Sequence, residues 1–215
     1  MSAAPPRGDA VVAEVLASAA PALGITLDET QLSQLTRYAE LVDRWRQVTN
    51  LTGARSTAAF AREHLVDSLS VVPHLDGGAV LDVGSGAGLP GVVLAVARPA
   101  LAVTLLEPRQ RRARFLTQVK IELGLDNVEV VSARIEALPA AAAYHVVISR
   151  AFSALADFVV LALPHRAPGG RILAMKGRVD AGDRARAEEL AGPARVVPLR
   201  VPGFRDRHLV VFTGT

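Results

Sequence analysis

A chain of 215 residues, half of them hydrophobic and 21% charged, is long enough for one domain with a sizeable core, which excludes a disordered tail or a coiled-coil rod. No run approaches the ~20 apolar residues of a bilayer span, and the absence of cysteine excludes a disulfide framework, a thiolate metal site and a cysteine nucleophile. Lysine and arginine outnumber the acids only 24 to 21, a net charge of +3, so charge by itself does not establish a nucleic-acid partner.

The opening MSAAPPRGDA lacks the charged, apolar and cleavage regions of a signal peptide, so a cytoplasmic protein is expected, with residues 1–8 loose around Pro5, Pro6 and Gly8. Val11, Val12, Val15, Leu16 and Ala19 share one helical face, and Leu32, Leu35, Tyr38, Ala39, Val42 and Trp45 share another. Asp28 with Gln31 forms a capping-box pair that opens this second helix. A third helix is predicted from Ser56, carrying Phe60, His64, Leu65, Ser68 and Val72, until Pro73 stops it. His64 and Asp67 lie one turn apart on it and are expected to pair, orienting these helices against the sheet. Residues 1–76 are read as a helical extension packed on a core, and 77–215 as the core itself, in one compact unit.

Beyond the Asp76-Gly77-Gly78 turn the texture changes. Strand-like runs at Ala79–Val83, Ala102–Glu107, Val128–Ser132, His145–Arg150 and Arg171–Lys176 alternate with helical runs at 89–98, 109–124, 134–138, 153–165 and 180–191. This alternation predicts an α/β fold, a parallel sheet with helices on both faces. Arg195–Val201 and His208–Thr213 are expected as two closing strands, and the alanine-rich 137–143 as a surface connection.

The first strand-to-helix turn carries the strongest chemical signal, Leu81-Asp82-Val83-Gly84-Ser85-Gly86-Ala87-Gly88-Leu89-Pro90-Gly91. Glycines there let a ligand approach the backbone, and the helix start offers free N–H groups. A dinucleotide fingerprint would need glycine where Leu89 stands; instead Gly84, Gly86 and Gly88 alternate, two residues after the acid Asp82. A carboxylate beside the ligand suits a cation better than a pyrophosphate. The next strand ends in Glu107, where doubly wound folds bind ribose hydroxyls. Ribose, no phosphate and a positive centre describe S-adenosylmethionine (AdoMet). Taken alone, these residues also fit a tight turn with a surface glutamate.

Asn50-Leu51-Thr52, Arg62-Glu63-His64-Leu65-Val66-Asp67-Ser68, the 81–91 turn, Ser149-Arg150-Ala151 and Leu173-Ala174-Met175-Lys176-Gly177 succeed one another at set spacing. Together they closely resemble the bacterial small-subunit rRNA guanine-N7 methyltransferases, the glucose-inhibited division protein B family, from about residue 30 onward. The resemblance implies a class I (Rossmann-like) AdoMet-dependent methyltransferase sheet with an N-terminal helical cap. It also implies a guanine of 16S rRNA in the small ribosomal subunit as substrate, and it places AdoMet contacts on Gly84, Leu89, Ile135, Glu136 and Arg150. A departure from the family's usual pattern is Glu107, where aspartate is common; one methylene more still reaches a ribose.

Guanine N7 has a free lone pair, so its attack on the AdoMet methyl needs no general base. Alignment alone can account for roughly 7–11 kcal/mol of barrier. Arg150 and Arg134, just after the fourth and third strands at the ligand-bearing edge, are the candidates for catalysis by positioning; a structural ion pair is the alternative for each. Arg109, Arg111, Arg112 and Arg114 open a helix with no acid between 108 and 121. They oppose the helix dipole, so helix stability is a poor reason for them. A phosphate-binding ridge for RNA and a plain solvated face both fit. Lys176, ending the fifth strand, is a further RNA-phosphate candidate. The histidines show no metal spacing, and no metal is expected; a monomer is. The competing reading is a class I methyltransferase acting on a small molecule.

Overall fold

The computed structural model describes residues 8–140, 144–150, 152 and 154–214. Seven strands form one sheet: β1 (Ala79–Val83), β2 (Ala102–Leu106), β3 (Val128–Val131), β4 (Tyr144–Arg150), β5 (Arg166–Lys176), β6 (Ala194–Pro198) and β7 (His208–Thr213). Their spatial order is β3-β2-β1-β4-β5-β7-β6. The first five are parallel, and β7 runs antiparallel to both β5 and β6. The predicted alternation is present, with two differences. β5 begins at Arg166 rather than Arg171, and the first closing strand is Ala194–Pro198 rather than Arg195–Val201; the last strand inserts between β5 and β6.

Because successive strand side chains point to opposite faces, the sheet divides the core in two. Val80, Leu105, Ile148 and Leu173 face α5 (Gly91–Ala97) and α6 (Gln110–Leu123). Leu81, Leu106, Val147 and Ile172 face α7 (Leu155–Ala162) and α8 (Ala181–Ala191). The chain steps from β3 back across to β4, so the C-terminal ends of β1 and β4 flank the point where strand order reverses. That is where open α/β sheets bind ligands.

The N-terminal helices α1 (Gly8–Ala22) and α2 (Glu29–Trp45) join the α5/α6 layer, and one apolar cluster runs from Val12 and Leu16 through Tyr38 to the sheet. The capping box is formed as predicted. Asp28 Oδ1 accepts from Gln31 N at 2.8 Å and Gln31 Oε1 from Asp28 N at 2.9 Å, a device worth ~1 kcal/mol. The Gln31 amide also donates to the carbonyls of Val96 and Ala97, and Gln34 to that of Leu123, tying α2 to the ends of α5 and α6. Residues 1–7 and part of the alanine-rich stretch lie outside the described residues, and Gly8 already belongs to α1.

The third helix is not continuous. Ser56 caps it by accepting from Ala59 N, but α3 (Thr57–Phe60) gives way to a π turn (Ala61–Leu65) before α4 (Val66–Leu69) and a 3-10 turn at Val72–His74. A π turn adds a residue to the helical repeat and so rotates α4 relative to α3. Phe60 braces it from inside, edge-on to both Tyr38 and His64. The expected His64–Asp67 pair is therefore absent; both side chains turn to a third group instead.

Candidate active site

The turn after β1 is fixed by its own backbone: the N–H groups of Gly84 and Ser85 donate to Leu106 O, and those of Gly88 and Leu89 to Ser85 O. Gly84 is exposed at φ +71°, and a Cβ there would meet no atom within 4 Å. This is the open approach the sequence predicted. Gly86 is half-buried, with Arg112 Nη1 at 3.8 Å from a Cβ site. Gly88 corrects the prediction. A Cβ there would strike Val92 Cγ2 at 2.6 Å and the Tyr38 hydroxyl at 3.0 Å, so its approach side is occupied by protein, and packing requires the glycine. Leu89 is buried beside it, before a cis peptide bond to Pro90.

Glu107, 3% exposed, accepts from Gly86 N through Oε2 and from Arg109 N through Oε1, both at 2.9 Å. It thus clamps the glycine turn to the start of α6, and an ionised carboxylate retains lone pairs for further donors. Asp82 is wholly buried. Its Oδ2 accepts from Gly91 N at 2.9 Å, while Oδ1 has no partner among the described residues. Burial pushes its acid up to about 7. A buried acceptor lacking a donor is costly. Oδ1 is thus the atom on which the expected complement to a cationic ligand rests.

At the end of β4, Arg150 is gripped by the cap. Its Nη2 donates to His64 Nδ1 at 2.9 Å, and Nη1 lies 3.5 Å from Asp67 Oδ2. An arginine only donates, so His64 Nδ1 is the acceptor and its Nε2–H points at Thr52 Oγ1, 2.8 Å away. Burial, and then the Arg150 charge, push the imidazole down to about 4, which keeps it neutral. The structural ion pair weighed for Arg150 is therefore real, at the mouth of the switch point. Ala151 of the Ser149-Arg150-Ala151 motif lies outside the described residues.

Arg134 and Glu136 stand exposed around a 3-10 turn (Ile135–Ala137), with no side-chain partner among the described residues, and Ile135 buries its side chain in the α7/α8 layer. Arg109 and Arg111 are exposed at the start of α6; Arg112 instead donates to Asn50 O at 2.8 Å. Lys176, ending β5, donates to Phe152 O at 2.7 Å.

Two residues near the site were not singled out from sequence. Tyr38, fully buried, donates its hydroxyl to Ala87 O and so joins the cap to the glycine turn. Arg207, before β7, donates Nε to Asp67 Oδ1 at 3.1 Å. Tyr38 was legible only as a core position, and nothing local marks Arg207.

The strand order, the glycine turn at the switch point and the acid closing β2 define a class I methyltransferase fold. Solved structures agree. A methyltransferase from Pyrococcus furiosus superposes with a TM-score of 0.62 at 14% identity, over 83% of this chain and 97% of that one. The S-adenosylmethionine-dependent methyltransferase SibL does so at 0.58 and 18%, over 97% and 70%. The rRNA small subunit methyltransferase G family matches residues 31–210. Ribosomal RNA small subunit methyltransferase G of Nitrosospira multiformis is 44% identical over 91% of this chain and 94% of its own length. That of Aromatoleum aromaticum is 46% identical over 88% and 92%. The chain belongs to the rRNA small subunit methyltransferase G family.

Proposed function

We propose that the protein transfers the methyl group of AdoMet to N7 of a guanine in 16S rRNA of the small ribosomal subunit. The observation that carries this reading is the switch-point site: an open backbone approach at Gly84, in a turn held by the buried carboxylates of Asp82 and Glu107, with Arg150 ending the adjacent strand β4. The site fits the cofactor, since Gly84 leaves space a side chain would fill and Asp82 Oδ1 is a buried acceptor awaiting a positive partner. When bound, AdoMet supplies an electrophilic methyl group.

The chain's own residues then bind and align. Gly84 and Gly86 admit the cofactor, with Leu89, Ile135 and Glu136 completing its pocket. Glu107 takes ribose hydroxyls while fixing the turn. Arg150 and Arg134 orient cofactor and base at the sheet edge, Arg109, Arg111 and Lys176 meet RNA phosphates, and Arg112, expected beside them, ties α6 to the cap through Asn50 O. Neutral N7 needs no proton acceptor, and the His64 imidazole that grips Arg150 is committed to hydrogen bonds on both nitrogens. Residues 1–76 act as an extension folded onto the 77–215 domain, in a cytoplasmic, metal-free monomer. Among the described residues no helix is long and apolar enough to cross a membrane.

Incubating small ribosomal subunits from cells lacking the enzyme with methyl-labelled AdoMet, then analysing 16S rRNA nucleosides by mass spectrometry, tests the reading. One labelled 7-methylguanosine per subunit is expected. Label on another base, on an amino group, or only on small molecules would refute it.

A further inference from the structure

A cleft of about 280 Å³ opens where the cap, the sheet edge and the segment before β7 meet; Glu63, His64, Asp67, Arg150, Lys176 and Arg207 are among its lining residues. We infer that Arg207 binds a backbone phosphate of the RNA beside the target base, and that Asp67 is the positioning residue that sets Arg207 and Arg150 together in this cleft. The inference rests on the proposed methyl transfer to rRNA and adds two residues to it.

Arg207 is pre-organised. Its Nε donates to Asp67 Oδ1 at 3.1 Å, its Nη1 to Asp206 O at 3.0 Å, and its guanidinium lies 4.2 Å from the centre of the Phe204 ring. Nη2 has no hydrogen-bond partner among the described residues. A planar fork held on two atoms and on one face, with donors left over, loses little freedom when it takes a phosphate oxygen.

Charge points the same way. Among the described residues Asp67, 7% exposed in its side chain, is the one carboxylate paired with both guanidiniums, whose side chains are only 19% (Arg150) and 29% (Arg207) exposed. His64 adds no charge, because its Nδ1 accepts from Arg150. Glu63 stands at the rim without an ion pair to either arginine. Two partly desolvated cations thus share one anion, and a half-buried charge without a counter-ion is costly. A phosphate supplies the missing negative charge and acceptors matched to a guanidinium fork. It also explains why the cap enters the site at all. Asp67 comes from α4, Arg150 from β4 and Arg207 from the chain's end, so the cleft exists only when all three segments are docked.

The test uses the full chain with small ribosomal subunits from cells lacking the enzyme, measuring subunit affinity against salt, kcat, and AdoMet affinity by calorimetry. Arg207→Ala should weaken subunit binding tenfold or more and flatten the log affinity–log salt slope by about one. It should leave AdoMet affinity within twofold and lower kcat less than Asp67→Asn does. Arg207→Lys should recover part of the loss, since it keeps the charge and not the fork. Asp67→Asn should lower kcat through Arg150 and weaken binding through Arg207, moving both together. An Arg207→Ala protein with wild-type affinity and salt slope overturns the inference, as does weaker binding with an unchanged slope. Should Arg207→Ala fail to bind AdoMet, and so fail as a folded control, the decision passes to Arg207→Lys, whose wild-type subunit affinity and kcat would overturn it equally. A wild-type protein that methylates no subunit overturns the proposed function as well; an active wild type beside an unmoved variant overturns this inference alone.

Discussion

Gly84 and Gly88 belong to one turn and both have positive φ, +71° and +96°, yet an added methyl would enter empty space at the first and collide with Val92 and Tyr38 at the second. Their variants should therefore fail differently. Gly84→Val carries the strain of a left-handed backbone, roughly 1–2 kcal/mol, and places its side chain where the cofactor must approach. It should fold and lose AdoMet binding, as calorimetry on protein with a cooperative thermal transition would show. Gly88→Val adds collision to the same strain, so its melting temperature should fall well below that of Gly84→Val. Equal melting temperatures would mean that the packing around Gly88 is softer than its contacts indicate. The sequence assigned both glycines one role because a glycine reports only that a side chain is forbidden. What forbids it at Gly88 includes Tyr38, a residue remote in sequence. Asp82 shows the same limit: its acidity in a glycine turn was readable, its full burial was not.

Among the elements, α6 separates two roles that looked alike along its first turn. Arg109 and Arg111 are exposed with no ion-pair partner among the described residues, while Arg112 reaches the carbonyl of Asn50 in the cap. The pair Arg109→Ala/Arg111→Ala should weaken subunit binding and flatten its salt slope by up to two, about one for each phosphate no longer bound, without changing AdoMet affinity. Arg112→Ala should chiefly lower stability, since a charge-assisted hydrogen bond to the backbone is worth about 1.5–3 kcal/mol before discounting for its partial exposure. Salt-dependent filter binding and thermal melts on the two proteins decide this; an unchanged slope in the double variant makes α6 a solvated face. Strand and helix positions were legible because the period of the apolar residues changes from about four to two. The π turn at 61–65 was not, since one inserted residue leaves an apolar run that still reads as helix. β5 begins at Arg166, which pairs with Tyr144 across a register shift, and the sequence hid this because Pro168-Gly169-Gly170, just before Arg171, reads as a turn.

Across the whole molecule, the parallel core and the cap were legible from alternation and capping, whereas the way they join was not. Beside the shared apolar cluster, the joint near the site is made by polar contacts between segments far apart in the chain, among them Tyr38 to Ala87, Arg112 to Asn50, and Arg150 to His64. Two titratable groups beside this joint, Asp82 buried and His64 half-buried, give it a pH signature. In the folded protein burial holds Asp82 up at about 7 against an ordinary 3.8, while burial and Arg150 hold His64 down at about 4 against 6.5. Between pH 4 and 6.5 the native state therefore carries a proton on Asp82 that the unfolded chain lacks, and that term lowers stability as pH rises. Over the same range the unfolded chain carries a proton on His64 that the native state lacks, and that term raises stability as pH rises. The two slopes oppose each other. Burial also raises Asp67 and lowers His74 and His165, so the diagnostic is each variant's slope relative to wild type. His64→Gln, measured without cofactor, should make the slope of unfolding free energy against pH more negative by close to one proton across pH 4–6.5. Asp82→Asn should make it more positive by a similar amount. The Asn variant should gain stability over wild type up to about pH 7 and no further, because both states are ionised above it. Urea melts at half-unit pH steps would read both slopes. Parallel curves for wild type and Asp82→Asn would mean that Asp82 is ionised in the native protein. Burial would then not be what holds a proton on Asp82, and the carboxylate would be charged before AdoMet arrives.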